Sequence, residues 1–184
     1  MTELQKLEWK EIENDIFRAY KNVGLEDGIG YYEAGALDNY LKPTDLGYIE
    51  EKNKDERYDW TRMLKEFEDY ELDNGRHCFM DAKGLLFYLP FIMIRQDETI
   101  NSILHFYISE IYKRDGYTNS EFTKTVSLMT KDQKHCIFQF YNFWSKIEHS
   151  DFWEPQLNYS FDTGEQQLKG FNFMKFIKDN FYQE

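Results

Sequence analysis

The sequence predicts a mainly α fold, a single-domain helical bundle with at most a minor β-hairpin. Three observations carry that prediction. Apolar residues recur at three- to five-residue steps along most of the chain, the spacing of a helix face. From Leu85 to Ile94 every residue except Pro90 is Leu, Phe, Tyr, Ile or Met. That run is shorter than the roughly 20 residues that cross a bilayer, so the protein itself must cover it. Finally, 184 residues with 16 Phe, 14 Tyr and 4 Trp suffice for one domain with a sizeable core, since each ring buries about 150–250 Å².

The elements follow in order. Leu4, Leu7, Ile12, Ile16, Tyr20 and Val23 draw an amphipathic stripe over residues 2–23, with Gly24 as the stop. A glycine-containing loop to Gly30 then precedes a short helix over 31–41, which Pro43 ends. Thr44 or Asp45 can cap what comes next, and WTRMLKEF, starting at Trp60, reads as a short helix. Residues 76–80 read as a short strand or extended chain. Asp81 caps the apolar central helix, which begins at Ala82 and which Pro90 should kink. A stripe from Ile100 to Ile111 predicts another helix, opened by Asp97 and running to about Arg114. Residues 121–128 fit either a strand or a helical turn. Thr130 and Gln133 form the capping-box pattern, in which each side chain satisfies an amide of the other, and open an aromatic helix through Ile147. An irregular crossover over 150–164, with LNYSF as a candidate edge strand, leads to a last helix over 166–181.

Charge narrows the function. Thirty-four acids against 22 bases give a formal net charge of −12, which repels phosphate backbones and anionic membranes. Neither nucleic acid nor membrane is an expected partner; a basic protein is. Residues 45–73 hold eleven acids and five bases, half of that net charge. A solvated face is the plain explanation of such a segment. A field that steers a cationic partner is the sharper one. On that reading the partner-binding residues are Glu50, Glu51, Asp55, Glu56, Tyr58, Asp59, Trp60 and Tyr70, with an aromatic ring as anchor.

Catalytic and metal motifs are wanting. His77-Cys78 and His135-Cys136 offer two His and two Cys, yet adjacent residues diverge by about 100° on a helix and cannot readily chelate one ion. Gly28-Ile29-Gly30 is half of a dinucleotide fingerprint, with no strand before it. No catalytic residue, metal ligand or cofactor is assigned, and catalysis ranks below binding. Two cysteines and an N-terminus without a signal-peptide pattern point to a reducing, cytoplasmic setting. Oligomeric state is not legible.

The phrase FMDAKGLLFYLPFIMIR, with Gly84, Phe87, Tyr88, Leu89 and Pro90, resembles a motif of a family of small uncharacterised bacterial proteins. Its second phrase is similar to SLMTKDQKHCIFQFYNFW, with Thr130 and Gln133 matching and Met129 in place of Leu. The resemblance implies a buried helix at each phrase and no particular chemistry. The preferred function is therefore a protein-binding protein, such as an immunity-type inhibitor that occludes a basic toxin or enzyme. A structural or housekeeping protein comes second, and an unrecognised hydrolase third.

Overall fold

Several helix starts in this chain are set by side chains that accept the amide protons a first turn cannot place internally. The computed structural model describes residues 1–66, 76–96, 120–147 and 173–182, and among them every regular element is helical. In chain order these are α1 (Glu3–Ala19), α2 (Tyr31–Asp38), α3 (Leu46–Lys52), a 3-10 turn (Trp60–Arg62) that runs into α4 (Met63–Glu66), a second 3-10 helix (Arg76–Phe79), α5 (Ala82–Arg95), α6 (Ser120–Leu128), α7 (Lys131–Trp144) and α8 (Phe173–Phe181). The mainly α class stands. No strand occurs among the described residues. The helix predicted over 97–114, the 150–164 crossover with its candidate strand, the start of the last helix and Tyr70 all lie outside them.

The chain divides into two units, one made of residues 1–20 and 129–184, the other of 21–128. In the first, Thr2 and Gln5 form a capping box at α1, and Thr130 and Gln133 form the predicted one at α7. Of the predicted α1 stripe, Ile12, Ile16 and Tyr20 are buried together with Trp9, whereas Leu4 and Leu7, in the first two turns, are exposed. Trp9 lies 6.0, 5.3 and 5.7 Å from the rings of Phe140, Phe143 and Trp144. Gln133 also donates to the Ala19 carbonyl, which ties the end of α1 to the start of α7. α7 packs on α8 as well, whose Ile177 and Phe181 are buried. Helix α1 stops at Ala19, short of the predicted Val23, because Tyr20 closes the last turn on Ile16 and the chain then enters the second unit.

The second unit is built on α5. All but four of its fourteen residues are buried, and it packs against α6, α4 and the first 3-10 turn. Asp81 caps it by accepting from the Gly84 amide at 2.8 Å, and Glu121 of α6 accepts from the Ala82 amide at 3.1 Å. The ambiguous 120–128 stretch is helical, since Phe122 and Thr125 turn the same way, into the interior. Residues 76–79, predicted as extended, wind into a 3-10 helix. Among the described residues, no helix is long and apolar enough to cross a membrane.

Candidate functional site

The acidic segment is anchored from beneath by two buried carboxylates. Helix α2 starts after Gly30, which has no side chain to cap it, yet all three of its leading amides are satisfied. Tyr31 donates to the Tyr88 hydroxyl on α5 at 3.0 Å, and Tyr32 and Glu33 donate to the two oxygens of Asp55 at 2.9 and 3.0 Å. Tyr88 in turn donates to Asp55 at 3.3 Å. Asp55 is thus a helix cap supplied from more than twenty residues downstream. Gly30 is required by this approach: a Cβ there would stand 2.2 Å from the Asp55 carboxyl carbon.

Glu33 forms the second layer. Its Oε1 accepts from the Tyr48 hydroxyl and from Lys52 at 2.7 Å, and its Oε2 from Arg57 at 3.2 Å. Tyr48 and Lys52 are four residues apart, so α3 is fastened to α2 along one face. Arg57 also donates to the carbonyls of Glu26 and Gly28, bringing in the glycine loop. Burial raises the Asp55 carboxyl above its usual value, and the amides of Tyr32 and Glu33 with Tyr88 and Arg57 offset that only in part. Burial, then Glu33, pushes Tyr48 up to about 12. Every oxygen of both carboxylates receives a donor from the protein, which is the pattern of a structural brace.

The residues predicted to bind a partner separate into two groups. Trp60 is 1% exposed and Asp55 is buried, so both are interior groups and neither presents a surface. Tyr58 is 85% exposed, and Glu50 and Asp59 are exposed too. Glu51 pairs with Lys54, and Asp59 caps the 3-10 turn through Thr61. Glu56 is half-buried. It accepts from the amides of Tyr58 and Asp59 and from Arg62, and although burial works to raise its carboxyl, these contacts hold it below the usual value. The negative charge of this segment is therefore part internal and part outward.

Neither thiol is activated. Burial pushes Cys136 up to about 12, with Asp15 and Asp132 adding to it, and Cys78 is raised by burial and then by Asp38. Among the described residues, no cluster of three or more His, Cys, Asp or Glu is placed to hold a metal ion.

A model of a family of unknown function, DUF6714, matches residues 8–160. The chain belongs to DUF6714. That match contains the whole brace from Gly30 to Tyr88 and both quoted phrases, whereas α8 lies beyond it. No curated protein and no solved structure matches the chain. DUF6714 membership agrees with the expectation of a family without assigned chemistry and goes no further.

Sequence reasoning missed Glu33, Tyr48 and Arg57. Tyr88 was in view as part of the quoted phrase. Its partners were hidden because they meet it only through the fold. The exposed apolar residues of α3, Leu46 and Ile49, also went unremarked, although their three-residue spacing was readable.

Proposed function

We propose that this protein binds a basic protein and occludes it, as an immunity-type inhibitor does, through the outward part of the acidic segment. Exposed Tyr58, with Asp59 beside it and Glu50 exposed on α3, is the observation that carries the reading. An exposed aromatic amid carboxylates is suited to contact a cationic surface, while a net charge of −12 raises the encounter rate. Glu51 and Glu56, each paired with a base, lie in the same segment, and Tyr70 belongs to the same stretch of sequence. Occlusion demands no chemistry of the protein, only a surface held in place, and the Glu33–Asp55 brace supplies that rigidity.

The test uses the full chain, immobilised and exposed to extract of the native cell. A stoichiometric basic protein is expected, with an association rate that falls as salt rises. Glu50→Lys with Tyr58→Ser should slow association by about tenfold or more at low salt. Absence of a stoichiometric basic partner, or a partner indifferent to both the variant and salt, would overturn the reading.

A further inference from the structure

Two residues of α3 face inward, and their contacts decide what the helix offers to solvent. Tyr48 and Lys52 both reach Glu33, which fixes the rotation of the helix about its axis. Away from them the outward face carries Leu46 and Glu50, four residues apart, with Ile49, three residues from Leu46, on its flank. Leu46 is 79% exposed and Ile49 42%. Single exposed apolar residues are ordinary; two on one short helix, in a chain of mean hydropathy −0.75, are less so.

A third exposed side chain lies at the end of α2. Tyr40, 93% exposed, follows α2, where the Tyr40 amide bonds to Leu37 and the Leu41 amide to Ala36. This is the Schellman ending, and Tyr40 occupies its left-handed position at φ 60°. Glycine fits that position without strain; tyrosine does not. Leu41 then folds the loop back onto α3, 3.5 Å from where a Cβ on Gly47 would lie. A large ring is thus held in solvent at a conformational cost.

Charge selects the occupant. Glu50 shares the outward face and has no ion pair among the described residues. A second copy docked on the same face would set Glu50 against Glu50 between two chains of charge −12 each, and an anionic lipid surface would be repelled likewise.

We infer that the Leu46–Ile49–Glu50 surface of α3, together with exposed Tyr40 at the end of α2, is the apolar anchor of the docking surface and takes an amphipathic cationic segment, apolar side chains flanked by Lys or Arg. This rests on the binding role proposed above and adds an apolar anchor on α3 to the exposed Tyr58. The test titrates the labelled full chain with a synthetic amphipathic Leu/Lys peptide and with a Ser/Lys peptide of equal charge, following amide shifts. The Leu/Lys peptide is expected to perturb residues 40–53 and to bind about tenfold or more tighter than the Ser/Lys peptide. Leu46→Ser with Ile49→Ser should remove that preference while leaving the melting temperature near that of the native chain, because both side chains are exposed.

Equal binding of the two peptides at the acidic segment would sink this inference and leave the electrostatic role standing. Failure of both peptides to bind would sink the two together. Perturbations elsewhere, or a double variant that keeps its affinity within about twofold, would also overturn it. A concentration-dependent dimer abolished by the double variant would assign the α3 surface to a second copy instead.

Discussion

Tyr40 and Asp55 show how single residues here serve ends other than their own comfort. Relieving the left-handed strain with Tyr40→Gly should stabilise the protein by about 1 kcal/mol, read by urea denaturation, and at the same time weaken partner binding. A gain in stability without loss of binding would make the ring incidental. Asp55 is predicted to be exposed in its segment, yet it lies inside, where three donors converge on it. Asp55→Asn replaces an acceptor with a donor facing another donor, at a cost of about 1–3 kcal/mol. The pH dependence carries a sign. The folded carboxyl of Asp55 is raised above its usual 3.8, so the native state binds its proton more readily than the unfolded chain. Its contribution to stability therefore falls as pH rises from 3.8 through the raised value. Glu56, lowered from 4.5, does the reverse: its contribution is full above 4.5 and is lost as pH falls through the lowered value. Urea melts of the native chain, Asp55→Asn and Glu56→Gln across this acid range should give difference curves of opposite slope.

At the scale of elements, legibility followed distance along the chain. The caps by Asp81 and by Thr130 with Gln133 were readable because cap and amide are three residues apart. The cap on α2 was not, since Asp55 and Tyr32 are 23 residues apart and no local pattern joins them. The same holds where the glycine loop meets α5: Asp81 accepts from the Ile29 amide as well as from Gly84, and a Cβ on Gly84 would lie 2.0 Å from the Ile29 carbonyl oxygen. Backbone, unlike a side-chain tip, cannot step aside. Gly84→Ala should accordingly destabilise by about 1–3 kcal/mol, measured by thermal or urea unfolding. An effect below about 0.5 kcal/mol would mean that the loop does not rest on α5 as described. The central helix was legible from its apolar run, and Pro90 sits within it without ending it. What the run could not convey is that Tyr88 turns its hydroxyl to the start of α2.

For the whole molecule, class and charge were legible and the arrangement was not. Helical periodicity is repeated in nearly every segment and survives local error; the division into an inserted unit and a discontinuous one depends on which stripes meet, and no stripe names its partner. The acidic segment was legible as a charge excess, but the inward turn of Asp55 and Trp60 required the fold. The discontinuous unit joins its halves across the chain: Gln133 meets Ala19 at a separation of 114 residues, whereas the inserted unit closes Tyr31 on Tyr88 at 57. Doubling a loop costs only about 0.6 kcal/mol, so the effect on stability is small, but the longer closure waits on the shorter. In refolding, the fluorescence of a Trp60→Phe variant, which retains Trp9, Trp144 and Trp153, should develop no faster than that of a variant retaining Trp60 with those three replaced by Phe. A reversed order would deny that the inserted unit forms first.

The same topology bears on biosynthesis. A ribosome adds about 5–20 residues per second, so the greasy edge of α1 waits roughly 6–25 s for α7 to emerge. During that interval Trp9, Ile12, Ile16 and Tyr20 lack the cover that α7 gives them in the folded chain.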